Sequence, residues 1–278
     1  IAHVSHWFEK NRGLAVAIVA TGNYLAGALW SPVFQMLMAA HGWRWTHVAV
    51  GLFVFVFMGL MAFAFRGRTP TAELTAGASA RRAALGLPTN TLLVLLAVAG
   101  FACCMAMSMP QVHIVAYCAD LGYGPARGAE MLSLMLALGI VSRVASGFLA
   151  DRIGGLSVLL IGSGMQAAAL FLYLWFDGLA SLYVISGIFG LFQGGIVPMY
   201  ALIARTYLPA EEAGAKIGIV ITSTIIGMAV GGVVSGWIFD TFLSYRMAFL
   251  NGFMWNLVNI AIIGGLVWRS QRAMLRPA

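Results

Sequence analysis

GIVSRVASGFLADRIGG, residues 139–155, decides how this chain is read. The stretch starts inside an apolar run, carries Arg143 within it, and ends in Asp151 and Arg152 followed by Gly154 and Gly155. Arg143 precedes Asp151 by eight residues, which at about 1.5 Å per helical residue puts it ~12 Å inside the end of the segment. A guanidinium at that depth in hydrocarbon is costly and belongs in a bundle interior or a wet cavity. Gly139, Arg143, Gly147 and Asp151 recur every four residues, so they share one helix face and place small residues beside the guanidinium. The planar fork of donors suits a carboxylate. The competing reading is a structural arginine that bonds backbone carbonyls or snorkels towards water.

The 278 residues are 61% hydrophobic and only 9% charged, whereas a soluble domain carries about 25% charged residues. A water-facing surface cannot be assembled from that composition, so the apolar side chains must face lipid. The formal charge of +7 comes from basic residues set between apolar runs, without interleaved aromatics. That pattern fits membrane loops and excludes a nucleic-acid patch. Cys103, Cys104 and Cys118 lack metal-ligand spacing and read as small apolar side chains. Met105, Met107 and Met109 read as packing, with no second soft-ligand cluster. The first dozen residues hold His3, His6, Glu9, Lys10 and Arg12 and form no signal peptide. The chain opens on Ile1, and it is expected to start downstream of its true beginning.

About 20 residues span the hydrocarbon layer, and eight runs qualify: 14–40, 46–65, 92–118, 129–150, 156–176, 180–206, 216–240 and 246–268. None alternates as a barrel strand would. The expectation is an all-α integral membrane protein with eight transmembrane helices. One set of ends and loops holds most of the cations, among them Arg66, Arg68, Arg81, Arg82, Arg152, Arg205, Lys216 and Arg269, against Arg44, Arg127 and Arg246 on the other side. The rich side is cytoplasmic, which puts both termini of this segment in the cytoplasm. The longest polar interruption, 67–91, reads as a cytoplasmic linker. The expected organisation is two spans in 1–68, the linker in 69–91 and a six-helix bundle in 92–278. Pro110 and Pro198 fall late in the first helix of two successive three-helix sets, as hinges of inverted repeats do around a binding site.

Gln111, His113 and Tyr117 follow Pro110, and His113 and Tyr117 share a face. A membrane histidine relays protons or hydrogen-bonds near an interface. Asn23, Gln166, Gln193, Tyr200, Thr222, Ser223, Thr224, Asn251, Asn256 and Asn259 read chiefly as interhelical hydrogen-bonding groups. The acids lie at ends or in loops and the histidines are scattered, so no nucleophile, carboxylate pair or metal set points to an enzyme. No cofactor or metal is expected.

Gly147-Phe-Leu-Ala-Asp151-Arg152-Ile-Gly154-Gly155 resembles the signature between paired helices of the major facilitator superfamily. It departs at Gly155 and Leu156, where that family has further basic residues. Trp7-Phe8-Glu9-Lys10-Asn11-Arg12-Gly13-Leu14-Ala15, running on to Gly22, resembles the start of the fifth helix in monocarboxylate transporters and oxalate/formate antiporters. Asn11 replaces a basic residue there, and Ala17 and Ala26 replace glycines. Tyr117-Cys-Ala-Asp120-Leu-Gly122 and Ser244-Tyr245-Arg246-Met-Ala248-Phe249 are similar to other segments of the family's C-terminal half.

The resemblance implies a major-facilitator-type bundle holding the last eight of twelve helices, truncated at the N-terminus. It also implies that Arg143 binds a substrate carboxylate and that Asn23 and Tyr200 lie on cavity-facing helices. Gly147, Asp151, Arg152, Gly154, Gly155, Lys10 and Arg12 take the gating motif. Gly139 stands where monocarboxylate transporters carry an aspartate, and Lys216 sits at the start of its span rather than deep within it. One deep cation fits a monocarboxylate better than a dicarboxylate. The expected function is secondary transport of a small organic anion by alternating access, as proton symport or anion exchange. The setting is the plasma (bacterial inner) membrane, and the partners are the anion, H⁺ or a counter-anion, and lipid. The chain is expected to be monomeric. The alternative is an exporter of drug-like hydrophobic compounds, which would want a deep acid.

Overall fold

The computed structural model describes residues 12–64, 85–209 and 213–274. Among them the regular elements are helices: α1 (Arg12–Ala64), α2 (Thr89–Asp120), α3 (Pro125–Ile153), α4 (Gly155–Trp175), α5 (Leu179–Gln193), α6 (Ile196–Tyr207), α7 (Ala213–Phe242) and α8 (Tyr245–Met274). Lys10 and most of the expected linker lie outside the described residues. Arg12 opens α1, and Pro88 stands immediately before α2.

At 53 residues α1 is too long for a single crossing of a ~30 Å hydrocarbon layer. Gly42, at φ 77° and ψ 163°, divides it into two limbs. A residue with a Cβ would be strained there, and only the missing side chain makes the bend cheap. The expected run 180–206 is likewise divided, into α5 and α6. Pro198 lacks the N–H that would bond the Gly194 carbonyl, so the helix stops at Gln193 and restarts at Ile196. The Gly195 amide freed by the break donates to Ser142 Oγ at 3.2 Å. Pro110 acts differently, because α2 continues past it to Asp120.

Seven described segments are long and apolar enough to cross a membrane, by length and composition, and the chain is a multi-pass integral membrane protein. They match the expected runs from 46–65 onward to within a few residues, apart from 46–65 itself, which starts earlier, at Ala40. The remaining run, 14–40, occupies the first limb of α1, where Gly13–Ala26 forms a shorter apolar helix. Burial ranks these segments. The α2 span is 67% buried within the chain and the second limb of α1 only 6%. The apolar α2 is therefore the axis of the fold, packed against α7, α8 and α3, while the second limb of α1 presents its side chains outward. The first limb lies along α3, and α3 in turn packs on α5.

Aromatic and polar contacts knit the interior. Tyr173 stacks on Phe249 with ring centroids 4.6 Å apart, and Tyr117 meets Phe249 and Tyr245 edge-on. Tyr200 Oη donates to Asn259 Oδ1 at 2.6 Å, and Asn259 Nδ2 donates to Ser163 Oγ at 2.8 Å. Asn256 Nδ2 reaches the Ser163 carbonyl at 2.8 Å, so α4, α6 and α8 share one buried network. Hydrogen bonds between membrane helices average about 0.6 kcal/mol each; their worth here lies in joining three helices at one point. Thr224 differs from these interhelical groups, since its hydroxyl bonds the Ile221 carbonyl of its own helix.

Candidate functional site

The first limb of α1 crosses α3 along two matched faces. Gly13, Ala17, Ala20 and Tyr24 recur at helical spacing on one side, and Gly139, Arg143, Gly147 and Asp151 on the other. A Cβ on Gly147 would lie 2.5 Å from Ala17 Cβ and 2.7 Å from the Gly13 carbonyl oxygen. A Cβ on Gly13 would lie 2.5 Å from the Gly147 carbonyl oxygen. The two backbones touch, as small residues allow in membrane helix pairs. At the end of the stripe, Asp151 Oδ1 accepts from the Gly13 amide at 2.7 Å and Oδ2 from the Leu14 amide at 3.0 Å. These are amides of the first turn of α1, which have no partner within the helix. The carboxylate sits against the positive end of the helix dipole.

Arg143 lies about two turns further in and is only 5% exposed. Its Nη1 donates to the Ala20 carbonyl, and Cζ sits 3.8 Å from the centroid of the Tyr24 ring. A desolvated cation–π contact of this kind is worth up to about 2 kcal/mol. Nε is buried without a hydrogen-bond partner. The ring of Tyr24 reaches the guanidinium because Gly139 has no side chain, for a Cβ there would meet Tyr24 Cε2 at 2.9 Å. The position where a carboxylate was a possible partner is thus filled by an aromatic face from the other helix. The arginine is held by a carbonyl and a π-cloud, both neutral, and its formal charge stays uncompensated by either.

An adjoining face of α3, sharing Gly139, meets the break between α5 and α6. The backbone of Gly194 packs directly on Gly139, and Gly195 on Ser142 and Ser146. Next to the break, Gln193 is 1% exposed, and its Oε1 accepts from Gln111 Nε2 at 2.8 Å. Gln111 comes from α2 and is half-buried.

Of the other residues singled out from sequence, His113 donates from Nε2 to the Gly232 carbonyl at 2.9 Å, joining α2 to α7. Tyr117 is buried among aromatics, and Tyr200 is fully buried in the Asn259 network. Asn23 is exposed, one residue and about 100° of helix away from Tyr24. Arg152 is exposed with Cζ 4.3 Å from the Phe148 ring centroid, and Gly154, at φ 84°, makes the turn into α4. The structure therefore brings Gly139, Arg143, Gly147 and Asp151 together on α1, and Gln111 to Gln193. It does not bring His113, Tyr117, Tyr200 or Asn23 to the guanidinium. Tyr24 and Ala20 escaped the sequence reading; the 13, 17, 20, 24 spacing of small residues and one aromatic was the available signal. Arg205 and Lys216, grouped with loop cations, are 3% and 9% exposed.

A cavity of about 620 Å³ lies elsewhere, between α2 and α7, lined by Ala97, Phe101, Ala215, Gly218, Ile219, Thr222, Ser223 and Ile226. Its walls carry no charge, and the Ser223 hydroxyl is spent on the Ala97 carbonyl at 2.6 Å. Size alone does not make it the site, and the buried guanidinium of Arg143 lies at a different helix pair. Among the described residues no group of three His, Cys, Asp or Glu side chains is placed to hold a metal.

The model of the Major Facilitator Superfamily matches residues 1–215 and 96–278. The agnestins efflux protein AgnL12 of Paecilomyces divaricatus is 24% identical over 263 residues, covering 95% of this chain and 60% of that protein. Monocarboxylate transporter 13 of Bos taurus is 24% identical over 257 residues, covering 90% and 59%. The MFS-type transporter pynF of Aspergillus niger is 23% identical over 237 residues, covering 85% and 54%. The chain thus spans between 54% and 60% of the length of these relatives. Among solved structures, the transporter FucP in its outward conformation superimposes with a TM-score of 0.69 at 16% identity, over 97% of this chain and 71% of that one.

Proposed function

The chain belongs to the Major Facilitator Superfamily, and from that premise we propose that it serves in secondary transport of a small organic anion, a monocarboxylate, by alternating access between two helix bundles. The family places it among transporters and not among enzymes. One observation carries the reading: a buried arginine at a helix crossing whose contacts are neutral and whose Nε is unspent. A carboxylate arriving there offers two oxygens to the guanidinium fork, a bidentate pairing of opposite charges that a single bond to a neutral carbonyl does not supply. Because the displaced carbonyl and ring belong to α1, binding loosens the grip of α3 on α1 at that level. Asp151 keeps hold of the α1 terminus further along the same face. Substrate occupancy is thereby coupled to the angle between the two helices.

The proposed organisation follows from this. Residues 1–68 belong to one bundle and 92–278 to the other, with 69–91 between them on the cytoplasmic side of the plasma membrane. The working unit is a monomer, driven by H⁺ or by exchange with a counter-anion. The test is carboxylate uptake into proteoliposomes by Arg143→Gln and Arg143→Lys. Both should lose uptake while eluting as folded protein, since lysine keeps the charge but neither the fork nor the stacked plane. Unchanged kinetics in Arg143→Gln would count against the assignment.

A second reading, export of a hydrophobic small molecule, is favoured by the similarity to the efflux protein of Paecilomyces divaricatus. A counterflow survey with neutral and carboxylate compounds separates the two.

A further inference from the structure

The bend at Gly42 carries a cation of a different kind from Arg143. His41, Trp43, Arg44, Trp45 and His47 crowd around it, all of them exposed. The Arg44 Cζ lies 4.7 Å from the centroid of the Trp43 ring. His47 donates from Nδ1 to the Trp43 carbonyl at 2.8 Å and sets its ring edge-on to Trp43, with centroids 6.3 Å apart. His41 stacks on Trp45 with centroids 4.5 Å apart. Successive helical residues turn by about 100°, so Trp43 and Trp45 project on either side of Arg44. The guanidinium is flanked by two aromatic–imidazole pairs.

Among the described residues no acid pairs with this charge, and residues 12–64 contain neither Asp nor Glu. Arg127 and Arg246, the cations grouped with Arg44 on sequence, do find acids: Glu130 at 2.9 Å and Asp177 at 3.5 Å. A guanidinium over an aromatic ring keeps its N–H edge for a ligand, and its fork matches a phosphate as well as a carboxylate. The rest of the ligand is read from the helix beyond. Val48, Leu52 and Phe55 follow Arg44 on one face. At 71%, 63% and 78% exposed they are the most exposed large apolar side chains of the span Ala40–Phe63. From Arg44 to Phe55 the helix rises ~16 Å, about the depth of one leaflet of a ~30 Å hydrocarbon layer. Helical side chains lean towards the start of their helix, so the cation points to the bend while the apolar stripe runs the other way. Indoles such as those of Trp43 and Trp45 settle at the headgroup level.

We propose that the Gly42 bend binds one anionic phospholipid, whose phosphate pairs with Arg44 between Trp43 and Trp45 and whose acyl chain lies along Val48, Leu52 and Phe55. A phosphate without chains would fill the head of this site and leave the stripe bare, so a lipid is the occupant that the surface fits. The site stands apart from Arg143 and does not depend on what that residue binds.

The experiment titrates the whole purified protein in detergent with dioleoyl phosphatidylglycerol or dioleoyl phosphatidylcholine and counts bound lipids by native mass spectrometry. The wild type should hold one phosphatidylglycerol about fivefold more tightly than phosphatidylcholine, the worth of one basic residue near an anionic surface. Arg44→Gln should lose that preference, whereas Arg127→Gln, whose cation already has an acid, should keep it. Phe55→Ala should weaken both lipids alike. If Arg44→Gln does not fold, Arg44→Lys decides the matter, because lysine keeps the charge without the fork or the stacked plane and the preference should fall. Equal affinity for the two lipids in the wild type overturns the proposal, as does an unchanged preference in the Arg44 variants or unchanged binding in Phe55→Ala. Displacement of phosphatidylglycerol by glycerol 3-phosphate at matching concentration also overturns it, since the bend would then be a site for the phosphate alone.

Discussion

Tyr24 covers the guanidinium of Arg143 at 3.8 Å only because residue 139 is glycine. Neither residue of this pair is close to the other in sequence, yet each sets what the other can do. Arg143 is kept at depth by an aromatic face and a carbonyl rather than by an acid.

Gly139→Ala tests that relationship. The new Cβ meets Tyr24 at 2.9 Å, and the ring must shift off the guanidinium. The expected outcome is a loss of about 1–2 kcal/mol in stability and a raised KM for the carboxylate. Tyr24→Ala added to Gly139→Ala should restore much of the stability, read as thermal unfolding in detergent. Additive losses in the double variant would show that the two positions act separately.

Gly147→Leu should be far more damaging. Even its Cβ would lie 2.5 Å from Ala17 and 2.7 Å from the Gly13 carbonyl, and backbone cannot yield as a flexible side chain does. Overpacking of this kind costs about 1–3 kcal/mol or more. Transport should be lost, and a cysteine label placed at Ala17 should become accessible as the crossing opens.

Asp151→Ala removes the acceptor for two amides of α1. Loss of a helix cap costs about 1 kcal/mol, and the Asn variant, which keeps one oxygen, should recover roughly half. Hydrogen exchange at Gly13 and Leu14 is the direct readout: protection should fall in the order wild type, Asn, Ala. Equal protection in all three would dismiss the capping role.

Asn259→Leu leaves the fully buried Tyr200 hydroxyl without its acceptor and Ser163 Oγ without its donor. An orphaned buried group costs about 1–3 kcal/mol. Tyr200→Phe should cost less, and combining it with Asn259→Leu should cost less than the sum, which a double-mutant cycle of unfolding free energies measures.

The spans were legible because an apolar run of the right length has few other fates, and so was the four-residue stripe, which needs only helical period. The partner of that stripe was harder to see. Asn23 attracts notice as a polar residue in a membrane helix, whereas Tyr24, one step round the helix, makes the contact. A local pattern fixes which residues share a face and is silent on which other helix that face meets. The α5–α6 break had its signal in Gly194, Gly195 and Pro198, but an uninterrupted apolar run hid it. Arg205 and Lys216 do lie at helix ends, but their burial was hidden: a cation at the edge of a run looks the same whether it enters the headgroups or, as here, the protein interior.

The bonded set of Tyr200, Asn259, Ser163 and Asn256 pins three helices at a shared point. Three helices tied at one point resist sliding past one another, so a displacement of one rod is shared with the others. If the bundles rock as proposed, that trio is the lever, and the give belongs at the seams where glycine meets glycine.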